Sequence, residues 1–226
     1  SRMLNTSKGP AVHSLRVQAD KLAYHREMKK TLENEPNLRL LQGEAADILI
    51  EDGQVAGVVS RTGAVYRAKA VIIATGTYLN GMTYMGEVEQ SSGPDGRAPS
   101  LLLSSALEGY GFNFRRMKTG TPARVHSDSI DYSKMEIQPG DEEVIPFSFL
   151  NMGREFGLEQ VACYLTYTTD EAHEIIRQNI GRSPKYAGEI HGAGARYCPS
   201  LEDKVMTFTD RDQHQIFIEP EGLTTK

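Results

Sequence analysis

The sequence predicts an α/β fold, mixed helix and strand, on three observations. Residues 15–32 carry apolar side chains at Leu15, Ala19, Leu22, Ala23, Met28 and Leu32 with charges between them, the period of a surface helix that Pro36 ends. Three short β-rich runs follow at 47–51, 54–60 and 64–68, separated by Asp52-Gly53 and Thr62-Gly63, as in an antiparallel meander. A continuous apolar run, 70–74, then closes in Thr75-Gly76-Thr77, the pattern of a buried strand that delivers backbone to a ligand.

Residues 81–99 are rich in Gly, Ser and Pro, nearly devoid of periodicity, and read as a functional or mobile loop that is poorly ordered without a ligand. Pro99 suits the first position of a helix over 100–108, closed by Gly109. After Lys118-Thr119-Gly120-Thr121-Pro122 the texture changes. Strands are expected at 144–149 and 161–168, then a helix at 170–179 with Thr168 and Glu171 at capping-box spacing and Gly181 at its stop. His173 is placed on the exposed side of that helix. A Gly-rich stretch, 188–194, leads to Arg196-Tyr197-Cys198-Pro199, and 204–209 with 213–219 read as a hairpin around Asp210-Arg211-Asp212.

With 226 residues, 39% apolar and 24% charged, the chain suits a soluble globular protein of one large or two small domains. No apolar stretch is long enough to cross a bilayer, so no membrane role is expected. Two cysteines favour a reducing compartment, hence a cytoplasmic location, over a disulfide framework. A net charge of −5 excludes a wholesale polyanion binder and leaves local basic patches. Ser1-Arg2 at the start and the turn signal over 219–226 at the stop read as the middle of something longer.

No CxxC or HExxH occurs, and the six histidines stand far apart, so no metal site is expected. GxGxxG is also missing: after Gly192 and Gly194 the third position is Tyr197, and after Gly109 and Gly111 it is Phe114. Two readings stand for Cys198. Arg196 nearby favours a thiolate nucleophile on a glycine-rich loop, whereas the plainer reading is a buried structural thiol. Cys163, inside an apolar run, reads as core. Arg115, Arg116, Lys118 and Arg124 form one basic group, and Lys21, Arg26, Lys29 and Lys30 another; each is either a solvated face or a phosphate contact.

The strings LNTSKGPAV, VIIATGTYLNG, MKTGTPARV, RSPKYAGEIHGAGARYCPSLEDKV and DQHQIFIEPEGLT resemble, in register across the chain, the bacterial tRNA uridine-5-carboxymethylaminomethyl modification enzyme family, known as MnmG or GidA. The resemblance implies an FAD enzyme, a homodimer when intact, that works with the GTPase MnmE on the wobble uridine of tRNA. Methylene-tetrahydrofolate would donate one carbon and NADH would reduce the flavin. It implies a glutathione-reductase-like FAD-binding domain with an inserted α+β domain. Residues 1–121 would belong to the FAD-binding domain, whose GxGxxG portion lies outside this chain. Residues 122–205 would form the insertion and 206–226 the return.

By the same resemblance Ala45, Ser100 and the turn Thr75, Gly76 and Thr77 match flavin contacts, with the amides at Pro99-Ser100 facing phosphate. The nicotinamide nucleotide segment runs through Gly194, Ala195, Arg196, Tyr197, Cys198, Pro199, Ser200, Leu201, Glu202, Asp203, Lys204, Val205, Met206, Thr207 and Phe208. Cys198 matches one of two functional cysteines, and the other has no counterpart in this chain. The fragment alone is then expected to be catalytically silent. Two competing readings are a flavin oxidoreductase acting on a small molecule and a non-enzymatic scaffold.

Overall fold

The computed structural model describes residues 1–155, 159–188 and 200–225. In chain order it contains β1 (Arg2–Leu4), β2 (Ser14–Arg16), α1 (Lys21–Glu33), β3 (Ala45–Glu51), β4 (Gln54–Ser60), β5 (Val65–Arg67), β6 (Met82–Met85), β7 (Val88–Ser91), α2 (Leu102–Gly109), β8 (Glu136–Gln138), β9 (Cys163–Tyr167), α3 (Asp170–Asn179), α4 (Leu201–Thr207) and β10 (Gln215–Ile218). These sort into two units. The first comprises Ser1–Arg39, Gly120–Gln178 and Ser200–Lys226, the second Leu40–Thr119 and Asn179–Pro199.

The second unit is built on the expected meander, β3-β4-β5, antiparallel throughout. Asp52 (φ 50°) and Gly53 (φ 74°) both take the left-handed conformation that a two-residue hairpin turn with the twist of its strands requires. Helix α2 lies on β3, and Ile48, Leu103 and Leu107 form a small core with half-buried Ala45, Val58, Val71 and Leu79 around it. The Tyr110 hydroxyl reaches Asp47 Oδ1 at 3.0 Å and the Ile48 carbonyl at 3.1 Å, pinning the end of α2 to β3. The bond to Asp47, then burial, pushes the Tyr110 phenol above its ordinary value.

The first unit holds the β1–β2 hairpin and the antiparallel sheet β10-β9-β8. Helix α1 begins at Asp20, whose carboxylate accepts the Ala23 N–H at 2.7 Å and the Leu223 N–H at 3.2 Å. Those two bonds hold the carboxyl below its usual range. No residue of α1 is buried. Leu165 on β9 and Val205 on α4 are buried in this unit together with Thr168, His173 and His214.

Several local expectations are corrected. The helix over 15–32 begins only at Lys21, because Leu15 pairs with Met3 in the β1–β2 hairpin. Residues 70–74 form no strand: none of the described residues pairs with them, and Ile72 is 92% exposed. The run 81–99 is no featureless loop. Met82 and Tyr84 alternate inward on β6, and the two-residue turn Gly86-Glu87 brings β7 back against it. No strand forms over 144–149, while β8 forms where none is expected. The cap of α3 is Thr169, whose hydroxyl accepts the Ala172 N–H at 3.2 Å, because the Thr168 hydroxyl is engaged elsewhere. His173 is 1% exposed, on the inward face with Ala172 and Ile176. Residues 204–209 do not pair with 213–219: Leu201 and Val205, four apart, turn one side of helix α4 inward, and Glu202 and Asp203 favour its first turn.

Candidate functional site

Thr75, Gly76 and Thr77 form a turn in the second unit, half-buried at Thr75 and exposed at Gly76 and Thr77, closed by the Tyr78 N–H donating to the Thr75 carbonyl at 3.0 Å. Gly76 has φ +54°, and nothing lies within 4 Å of where its Cβ would be. Glycine is needed there for its backbone, and the face of the turn is open. Downstream the chain is held tightly. A Cβ on Gly81 would come 2.5 Å from the Ser92 carbonyl oxygen and 2.9 Å from that of Thr77. That close approach lets the start of β6 fold back beneath the turn.

Ser100 is brought to the same place. It forms an isolated parallel bridge with Leu79, its N–H donating to the Tyr78 carbonyl at 2.8 Å and its carbonyl accepting the Asn80 N–H at 3.1 Å. The helix opens at Leu102, so Pro99-Ser100 does not open it, and the Ser100 amide is not free to face phosphate. The Ser100 hydroxyl is what remains to meet a ligand. Arg116 joins the group, its Nη1 donating to the Asn80 carbonyl at 3.2 Å. Ala45 stands at the start of edge strand β3, and it and Leu79 both pack on the Ile48, Leu103 and Leu107 core.

The turn, the Ser100 hydroxyl and the Arg116 guanidinium thus meet around residues 78–81, while Ala45 packs on the same core as Leu79. Their chemistry fits a flat, phosphate-bearing cofactor, because backbone and hydroxyl groups can meet polar edges and Arg116 can face an anion. Three of the other basic residues are placed differently. Arg124 pairs with Glu221 at 3.2 Å in the first unit, where Lys21 also approaches Glu221 at 3.9 Å. Lys29 pairs with Glu33 at 3.6 Å within α1. Among the described residues, no three His, Cys, Asp or Glu side chains gather where they would hold a metal ion.

Of the nicotinamide segment, Gly194, Ala195, Arg196, Tyr197, Cys198 and Pro199 lie outside the described residues. Ser200 to Phe208 are helix α4 and its flanks, with the Ser200 hydroxyl 3.0 Å from Asp203 Oδ2 and Val205 1% exposed. Cys163 is half-buried on β9, and burial first, then the charge of Glu219, pushes its thiol up. That thiol is a poor nucleophile. Sequence reasoning missed the buried cluster of Thr168, His173 and His214. Its signal was the alternation of His214 with Ile216 and Ile218, which shares one strand face.

A family model described as glucose inhibited division protein A matches residues 1–226. The chain is 61% identical over 226 residues to the tRNA uridine 5-carboxymethylaminomethyl modification enzyme MnmG of Alkaliphilus oremlandii, and 57% identical over 225 residues to that of Bacillus subtilis. In both comparisons all of this chain is covered, and it spans about 36% of the relative's length. A structure of Aquifex aeolicus GidA superposes with a TM-score of 0.88 at 47% identity, covering 99% of this chain and 38% of that one. No helix of the described residues is long and apolar enough to cross a membrane. Matched from its first residue to its last, the chain belongs to the GidA family.

Proposed function

We propose that the chain is part of a cytoplasmic, homodimeric flavoenzyme that modifies C5 of the wobble uridine of tRNA together with the GTPase MnmE. The observation that carries this reading is 61% identity, over all of this chain and 36% of the relative, to a tRNA uridine 5-carboxymethylaminomethyl modification enzyme. Residues 1–121 and 206–226 belong to a glutathione-reductase-like FAD-binding domain, and 122–205 to an inserted α+β domain. Thr75, Gly76 and Thr77, the Ser100 hydroxyl and the backbone at Ala45 hold FAD, with Arg116 beside them. The segment from Gly194 to Phe208 binds NADH. Bound flavin supplies the redox chemistry that links NADH to the one-carbon unit of methylene-tetrahydrofolate.

The chain's own contribution to the chemistry is Cys198. Its thiolate adds to C6 of uracil, and the C5–C6 electron pair moves toward the O4 carbonyl, which makes C5 the nucleophile. C5 takes a methylene carbon as the carbon–nitrogen bond that carried it breaks and leaves its electron pair on nitrogen; C5 then loses its proton and the thiolate leaves C6. Arg196 keeps the sulfur ionised. In the full-length enzyme, Cys198→Ser should lower modified-nucleoside yield by about a thousandfold or more, roughly 4 kcal/mol of barrier at tenfold per 1.36. Flavin content and thermal midpoint should stay near wild type. Cys163→Ser is the control and should cost stability more than rate. Near wild-type yield from Cys198→Ser defeats the assignment. The 226-residue chain alone should turn over no NADH with added FAD.

A further inference from the structure

His173 and His214 lie inside the first unit, 1% and 7% exposed, with ring centroids 5.2 Å apart. One hydroxyl joins them. Thr168 Oγ1 lies 2.7 Å from His173 Nε2 and accepts the His214 backbone N–H at 2.8 Å. The Thr168 N–H donates back to the His214 carbonyl at 3.0 Å. His214 Nε2 is buried and has no hydrogen-bond partner among the described residues. A neutral imidazole tolerates that position by carrying its proton on Nδ1, because a bare lone pair loses less than an orphaned N–H. A protonated ring has no such choice, since both of its nitrogens are donors.

Among the described residues, none of the charges acting on His214 is negative. The titratable and charged groups acting on His214 are His173 from α3, Lys204 from α4 and Arg211 from the loop before β10, and each opposes a further positive charge. From β9 comes only the neutral Thr168, and Phe208, 6.4 Å away between ring centroids, is apolar. Burial first, then these bases, holds the imidazole below its ordinary value. The same cluster is where separate parts of the chain meet: the end of β9, the first turn of α3, α4 with its trailing Phe208, and the lead into β10.

We propose that His214 is an acid-triggered latch whose protonation frees α4 and β10 from β9 and α3. The closed state holds the neutral ring, while the opened chain takes up a proton near pH 6.5. The latch is therefore at full strength above that pH and weakens as pH falls below it. One proton lowers the closed-to-open ratio by up to about tenfold per pH unit. Amide exchange of the 226-residue chain, expressed as protection factors, reads this directly. Protection at 215–218 and across α4 should fall by up to about tenfold per unit between about pH 6.5 and 5. The β3–β4 pair of the second unit should stay level over the same range. His214→Leu removes the proton site and should flatten the profile. Should that variant not fold, ring nitrogen shifts of the wild-type chain decide: His214 should take its proton only as protection is lost. A ring that titrates near pH 6.5 with protection intact, or level protection at 215–218, overturns the latch.

Discussion

The interior of the second unit gathers Ile48, Leu103 and Leu107, with aliphatic side chains around them, whereas that of the first places Thr168, His173 and His214 beside Leu165 and Val205. The aliphatic interior gains from removing carbon from water, has no directional demand and is indifferent to protons. The mixed interior depends on every polar atom finding its partner, and one of them, His214 Nε2, has none among the described residues. Two small cores of one chain thus answer differently to the same perturbation: one to lost volume, the other to a lost hydroxyl or a gained proton.

The largest effect should come from Leu107→Ala. Removing a nearly fully buried side chain costs about 2–5 kcal/mol through lost transfer energy and the cavity left behind. Urea unfolding followed at β3–β4 should show that loss unchanged between neutral and mildly acid pH. A strong pH dependence there would break the contrast. Thr168→Val comes next. Valine keeps the shape but leaves the His214 N–H and His173 Nε2 without their shared partner, for about 1–3 kcal/mol. Unfolding followed at β9–β10 reads it, and a neutral outcome would mean the hydroxyl is not the junction described. The smallest effect belongs to Tyr110→Phe. Its hydroxyl bonds Asp47 and Ile48 at a solvent-exposed edge, so its loss should be a fraction of that of Thr168→Val. Because the phenol is held above its ordinary value of 10.0, the wild-type advantage is present below that pH and fades as pH rises beyond it. An advantage that persists in strong alkali would remove the bond from the account.

What was legible in the sequence was local. Asp52-Gly53 named the meander's turn, and the amphipathic run 170–179 carries α3 with the bounds the structure has. Apolar runs misled where the outcome depended on a neighbour: residues 70–74 look like a buried strand, yet a strand exists only where another pairs with it. Composition misled at 81–99, where glycine and serine hid a two-residue hairpin turn. Of the candidate site, the small-residue turn at Thr75, Gly76 and Thr77 was readable. The Leu79–Ser100 bridge that sets Ser100 beside it is a long-range pairing with no local signature. The histidine cluster was hidden for a simpler reason. A reading that counts apolar side chains skips a histidine, although His214 shares a face with Ile216 and Ile218.

The arrangement of chain segments in the two units carries a consequence for order in time. The meander β3-β4-β5 is contiguous, each strand meeting the next across a few residues, so it can form as soon as that stretch is synthesised. The first unit has no such shortcut. Its sheet is complete only when Ile218 finds Tyr164 across the intervening α3 and α4, and the unit is assembled from three separate segments. During synthesis the β9 edge and the ring of His173 must wait, uncovered, until residues 214–218 have been made. The slow and exposed step of folding is thus assigned to the unit whose interior is polar, and the aliphatic unit can be settled before that step begins.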